Sequence, residues 1–238
     1  MSRYSIQGPG RAAAIRGLFS GLAPRYDLVN DIQSAGLHRA WKRRLLRVAA
    51  TGPGERLLDL ACGTGDLAWR ATRTTPLARV VGGDFSQEML RRARSRGDGG
   101  STPSWTLLDS LSLPFHDASF DAVVIAYGLR NFTDPIASLR EIFRTLRPGG
   151  RLGVLDFGKP PSRFVRATYE RWLRNIQPIL GRVFFGNAEA YAYIAESLAA
   201  YPEPEGVSAW LRVAGFGGVA FDRLCLGTMT IHHARKPR

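Results

Sequence analysis

Cysteine is scarce in this sequence, and its scarcity removes several classes of protein at once. Cys62 and Cys225 are the only two in 238 residues, and neither stands in a CxxC or CxxH spacing. A disulfide framework is therefore excluded, no metal site is expected, and a reducing, cytoplasmic setting is. Long apolar runs are missing as well. No window approaches 18 uninterrupted apolar residues, and the opening MSRYSIQGPGR lacks the apolar stretch of a signal peptide, so a chain threaded through a membrane is not expected. Acids are outnumbered 20 to 33 by Lys and Arg, for a net charge of +13, and 30 of those basic residues are arginine. The excess is +7 over residues 1–50, +1 over 51–150 and +5 over 151–238. An anionic partner and the codon usage of a GC-rich genome both account for it.

What is present is a hydrophobic content of 45%, enough to bury a core. Strand and helix signals alternate. Strands are predicted at 55–61, 78–85, 104–110, 119–129 and 151–157, and helices at 66–74, 86–96 and 134–146. Ser86 reads as an N-cap, and RPGG as the turn between the third of these helices and the fifth strand. The pattern predicts an α/β fold with a doubly wound, mostly parallel sheet. One domain is expected over 1–238: a helical N-terminal cap (1–50), a cofactor-binding core (51–158), a helical lid (159–205), and strands with a helix at 206–238.

LLDLACGTGDLA (57–68) carries the first chemical signal. Gly63-Thr64-Gly65-Asp66-Leu67-Ala68 fits a dinucleotide-binding turn, and Asp84 lies 21 residues beyond Gly63, where such a fold holds a ribose. The charges argue otherwise. Asp59 and Asp66 flank the glycines, and each would oppose a pyrophosphate by roughly a few kcal/mol at close range, taking 332/(εr) with ε near 20. A ligand carrying an ammonium and a sulfonium turns the same carboxylates into attractions, which points to S-adenosylmethionine. Asp84 with Phe85 then serves the ribose, and Asp109 with Ser110 reaches the adenine edge. The bland alternative is that Asp84 opens a turn and Asp109 caps a loop. Acids at three successive strand ends make that coincidence uncommon.

YDLVNDIQSAGLHRAWKR (26–43), with Tyr26, Asp27, Asn30, Ser34, His38 and Trp41, resembles the first conserved segment of the ubiquinone/menaquinone biosynthesis C-methyltransferases. LDLACGTGD, DFSQEML, YGLRNFTD, RTLRPGGRLGVLDF and GNAEAYAYIAESL are similar to further parts of that family, so the resemblance runs from about Leu18 to His232. Two departures stand out: Asp156 replaces a glutamate, and Ala192 an arginine. The resemblance implies C-methylation of a prenylated quinol ring, demethylmenaquinol to menaquinol being favoured.

Such a reaction needs a stabiliser for the phenolate and an acceptor for the ring proton. Arg130, protonated at any working pH, suits the first task or the positioning of a water. Asn131 can orient the same oxygen. Tyr26 and His38 would close over the ring, with His38, or a water held by Tyr26 and Arg130, as acceptor; a helix-face histidine packed on Trp41 is the plainer reading. Residues 164–187 interleave aromatics with arginines. They suit a lid over the tail and a dock on an anionic membrane surface, or simply a core-packed helix with a solvated arginine face. A peripheral location at the inner face of the membrane is therefore expected. A homodimer is compatible with the sequence, and a nucleic-acid partner is not expected, because the neutral middle segment offers no basic channel. The alternatives are another small-molecule or nucleic-acid methyltransferase, or a non-catalytic binder of the same cofactor.

Overall fold

The computed structural model describes residues 34–49, 52–77, 79–97, 102–175 and 196–238, with single positions at 10, 15, 17, 28, 30 and 31. Its elements in chain order are α1 His38–Val48, β1 Arg56–Leu60, α2 Asp66–Thr74, β2 Arg79–Asp84, α3 Gln87–Ser95, β3 Ser104–Leu107, β4 Phe120–Ala126, α4 Pro135–Thr145, β5 Leu146–Phe157, α5 Arg163–Asn175, α6 Pro204–Val213, β6 Gly217–Leu224 and β7 Met229–Arg235. Seven strands form one sheet in the order β3-β2-β1-β4-β5-β7-β6. The first five are parallel, and β7 runs antiparallel to both β5 and β6.

The inner strands are apolar on both faces because helices cover both. In β1, Leu57 packs with Leu45 and Leu46 of α1 and Leu67 of α2 on one face. Leu58 and Leu60 join Leu139 and Ile142 of α4 and Leu211 of α6 on the other. Strand alternation divides neighbouring residues in this way, and a doubly covered parallel strand therefore reads as one continuous apolar run. Local chemistry starts two of the helices, at Ser86 as expected and at Asp134, a cap not read from the sequence. Ser86 accepts from Met89 N at 3.3 Å, and Asp134 accepts from Ala137 N at 2.9 Å with Pro135 in the first turn.

One expectation needs correction. The RPGG segment does not separate α4 from the fifth strand; β5 already begins at Leu146. Phe120 pairs with Leu146 and Ala122 with Arg151, so residues 147–150 form an irregular loop-out within the ladder. The C-terminal end of the chain holds it there. Lys236 Nζ donates to the carbonyls of Phe143 and Leu146, both at 2.8 Å, and Gly149 N donates to Lys236 O at 2.9 Å.

The chain winds from β1 out to β3, then returns to β4 on the other side of β1. The carboxyl ends of β1 and β4 thus flank the topological switch point, where folds of this kind bind ligands. Side-chain volume is missing there. A Cβ at Gly65, which has φ +77°, or at Gly82 would overlap the indole of Trp105. One aromatic ring therefore fixes how closely the glycine turn sits on β2 and β3.

Candidate functional site

The crevice at the switch point is built from strand ends. Ala61 after β1 and Tyr127 after β4 hold φ +56° and +63°, conformations that each cost a non-glycine residue about 1–2 kcal/mol. A Cβ at Gly128 would lie 2.6 Å from the Cβ of Ala61. The two strand ends therefore close on each other with strained backbone, as ligand sites often do.

Three acids stand where the sequence placed them. Asp59 is 1% exposed and accepts from Ala68 N at 3.0 Å. Burial pushes its carboxyl up to about 8, against the pull of Lys42 and that hydrogen bond. Asp84 accepts from Ser86 N and Gly63 N, both at 2.8 Å, and burial raises it to about 6. Thr64 and Gly65 are buried between these two acids, and Gly65 is the left-handed residue that opens α2. Asp109 is exposed, with its carboxylate on Leu111 N at 3.0 Å, while Ser110 Oγ lies 2.9 Å from Ser138 Oγ. A pocket lined by Asp84, Phe85, Asp109, Ser110 and Asn131 joins them. Burial opposes the ionised form of both the Asp59 and the Asp84 carboxyl, and at Asp84, which lines this pocket, a cationic ligand carrying a ribose would relieve that cost. A pyrophosphate would not.

Asp66 is a different matter from what its spacing suggested. Its carboxylate meets Lys42 Nζ at 2.9 Å and Arg70 at 3.6 Å. Burial pushes its carboxyl up, but Lys42 and Arg70 outweigh this and hold it below its ordinary value. Its charge is spent within the protein, so Asp59 and Asp84 carry the argument from charge. Lys42 itself escaped the sequence reading. It is 6% exposed and lies 6.0 Å from the centroid of the Tyr127 ring. The signal available was its rarity, since Lys42, Lys159 and Lys236 are the only lysines in an arginine-rich chain.

His38 lies one turn before Lys42 on the same helix face. Its Nδ1 is 2.9 Å from Ser34 Oγ and its Nε2 is 3.7 Å from Asp31. Burial, then Lys42, lower its pKa, so the ring is neutral near pH 7. Trp41 packs against the apolar cluster on this face of the sheet. Tyr26 lies outside the described residues, as does all of 176–195, Ala192 included.

Arg130 and Asn131 belong to a 3-10 turn, Leu129–Asn131, directly after β4. Arg130 is 8% exposed. Its Nη1 donates to Asp156 Oδ1 and to Tyr127 O, each at 2.7 Å, and the guanidinium lies 4.7 Å from the centroid of the Phe157 ring. Asp156, the departure noted above, is the partner that fixes Arg130. Beyond Phe157 opens a cavity of about 380 Å³, lined by Lys159, Pro160, Tyr169, Leu173, Leu198 and Tyr201 among others. Burial pushes both phenols up, and both feel the charges of Arg130 and Asp156. Tyr169 belongs to the 164–187 segment read from sequence as a lid over the tail, whereas Tyr201 was not singled out. The turn brings Arg130 together with Asn131 but not with His38, whose partners are Ser34, Asp31 and Lys42.

The sequence profile of the ubiE/COQ5 methyltransferase family matches residues 9–236. The chain belongs to that family. It is 42% identical to the demethylmenaquinone methyltransferase of Thermus thermophilus, covering 92% of this chain and all of that one. It is 38% identical to the ubiquinone/menaquinone biosynthesis C-methyltransferase UbiE of Paracoccus denitrificans, covering 95% of this chain and 92% of that one. Among solved structures, the phosphoethanolamine N-methyltransferase 2 of Haemonchus contortus, holding S-adenosylhomocysteine, aligns with a TM-score of 0.62 at 18% identity. That alignment covers 82% of this chain and 51% of the other. A methyltransferase solved with the Haloferax volcanii Trm112 activator aligns at 0.65 and 19%, covering 92% and 98%. At these identities the last two establish the Rossmann-like fold. This member of the family is thus an S-adenosylmethionine-dependent methyltransferase, and S-adenosyl-L-methionine is its cofactor.

Proposed function

We propose that the enzyme methylates a ring carbon of a prenylated quinol, demethylmenaquinol to menaquinol being the favoured conversion. The relatives named above support the substrate class. The observation that carries the reading is the position of the turn after β4. Asn131 lines the crevice with Asp84 and Ser110, whereas the adjacent Arg130 packs on Phe157 at the wall of the aromatic cavity. One peptide unit therefore joins a cofactor site to a site for an apolar, oxygen-bearing ring.

Bound in the crevice, S-adenosylmethionine supplies an electrophilic methyl on a cationic sulfur. Asp59 with Gly63, Thr64 and Gly65 would hold its methionine part, Asp84 and Phe85 the ribose, and Asp109 with Ser110 the adenine. Arg130, immobilised by Asp156, holds the substrate's ring oxygen as a phenolate and so enriches the adjacent carbon in electron density. Asn131 orients that oxygen. The proton leaving the ring carbon passes to neutral His38, or to a water held by Tyr26 and Arg130. Residues 51–158 act as the cofactor core, and 1–50 and 159–205 close over the ring and tail.

The tail is too apolar to cross water freely, and the basic excess lies outside the core. Reversible docking on an anionic membrane face follows. Among the described residues no helix is long and apolar enough to cross a membrane. Quinone extraction from cells lacking the protein tests the reaction: a demethylated quinone should accumulate. An unchanged quinone pool sinks the substrate assignment.

A further inference from the structure

Two large side chains stand out as the most exposed apolar groups among the described residues, Phe164 at 81% and Leu226 at 77%. The fold brings their segments together. Leu226 tips the turn Cys225–Gly227 between β6 and β7, at the sheet end where Met229 pairs with Phe157. Gly158 N donates to Thr228 O at 2.9 Å, and a Cβ at Gly227 would lie 2.8 Å from Pro161 Cδ. The turn is thus seated on Pro160 and Pro161, and Phe164 follows in the first turn of α5. Gly158, Lys159 and Pro160 also form one wall of the aromatic cavity.

The backbone of this tip is costly. Cys225 and Leu226 are consecutive non-glycine residues with φ +47° and +57°, where glycine or asparagine relieves the strain in a hairpin. A leucine held there with its side chain in water gains no burial in return. Just before α5 and along it, Lys159, Arg163, Arg171 and Arg174 make no ion pair among the described residues, whereas Arg166 pairs with Glu203 and Arg223 with Glu205.

Resting on the membrane association proposed above, we propose that this edge docks on an anionic phospholipid bilayer. Leu226 and Phe164 enter the acyl boundary, and Lys159, Arg163 and Arg171 meet headgroup phosphates. The Gly158–Pro160 wall of the cavity then faces the phase that holds the prenylated substrate. Charge selects this occupant: unpaired cations beside apolar tips match anionic headgroups over acyl chains. A second copy of the chain would need about 800 Å² of complementary surface per partner, and two protruding side chains do not provide it.

Sedimentation of the full chain with phosphatidylglycerol/phosphatidylcholine vesicles and with pure phosphatidylcholine vesicles tests the edge. Leu226→Gly and Phe164→Ser should each lower partition into anionic vesicles at least fivefold, while Val213→Ser, exposed on α6, leaves it unchanged. Leu226→Gly should also hold or raise the melting temperature, since it removes strain without removing burial. A fall of several degrees would make the leucine structural and overturn the proposal. Wild-type binding that both variants retain would overturn the edge but leave the membrane reading standing. Absence of wild-type binding to either vesicle would overturn both, and equal binding to the two would overturn the role given to the cations. A wild-type dimer that Leu226→Gly dissociates would assign the edge to a second copy instead.

Discussion

Arg130 and Asp156 form an ion pair closed off from solvent, Nη1 to Oδ1 at 2.7 Å, with side chains 6% and 1% exposed. The two residues are 26 apart in sequence and meet because β4 and β5 are neighbours. A pair this buried is expensive to break from one side, because the remaining charge stays desolvated. Asp156→Asn should therefore cost about 3–5 kcal/mol of stability, read by urea unfolding. Arg130→Lys keeps a charge beside Asp156 but loses the planar fork. It should bind S-adenosylmethionine normally and lose at least ~10-fold in kcat. A near-normal kcat would move the catalytic role to His38 and Tyr26.

Asp59 gives the ligand-free protein a pH dependence of defined sign. Its folded pKa is about 8 against an ordinary value of 3.8, so between those limits the native state holds more proton than the unfolded chain. Stability conferred by the neutral form is complete below about pH 4 and is lost as pH rises through about 8. Asp84, raised to about 6, acts in the same direction over the lower part of that window. Asp59→Asn can keep the bond from Ala68 N. It should flatten the slope and stabilise the ligand-free protein at pH 8 by about 1–2 kcal/mol, measured by thermal melts across pH. The same variant should bind the cofactor less tightly.

Asp84 is predicted to hold the ribose. Asp84→Ala should weaken S-adenosylmethionine binding by about 1.5–3 kcal/mol, the loss of two charge-assisted bonds. Calorimetry of the folded variant reads this directly, and an unchanged affinity removes the assignment. NADH should show no heat of binding to the wild type.

Lys42 lowers the cost of ionising Asp59 and neutralises Asp66. Lys42→Met should shift the pH at which cofactor affinity rises to higher values, by about one unit. An unshifted profile would confine Lys42 to a structural role at the start of α2.

The sequence made legible what is decided locally or by a strand's own ending. The helix over 66–74 and the cap at Ser86 depend on residues within one turn. The acids at 59, 84 and 109 stand at strand ends, which parallel topology gathers on one edge. Contacts created by packing were not legible. Lys42 meets Asp66 only because α1 docks beside the glycine turn, and Arg130 meets Asp156 only through adjacent strands. The early start of β5 depends on Lys236, 90 residues beyond Leu146. Tyr169 and Tyr201 sit far apart in the chain and become one cavity wall through α5 and the segment before α6.

Trp105 has a bearing on how a site of this kind can change over generations. Its ring fills the space that side chains at Gly65 and Gly82 would need. Replacing either glycine is closed to a lineage that keeps the tryptophan. Once a smaller residue such as leucine stands at 105, Gly82 becomes open to alanine, while Gly65 stays restrained by its left-handed backbone. Gly82 can therefore change only after Trp105 does, and Gly65 is kept by its backbone and by Ala93 Cβ, 2.9 Å from where its own Cβ would stand.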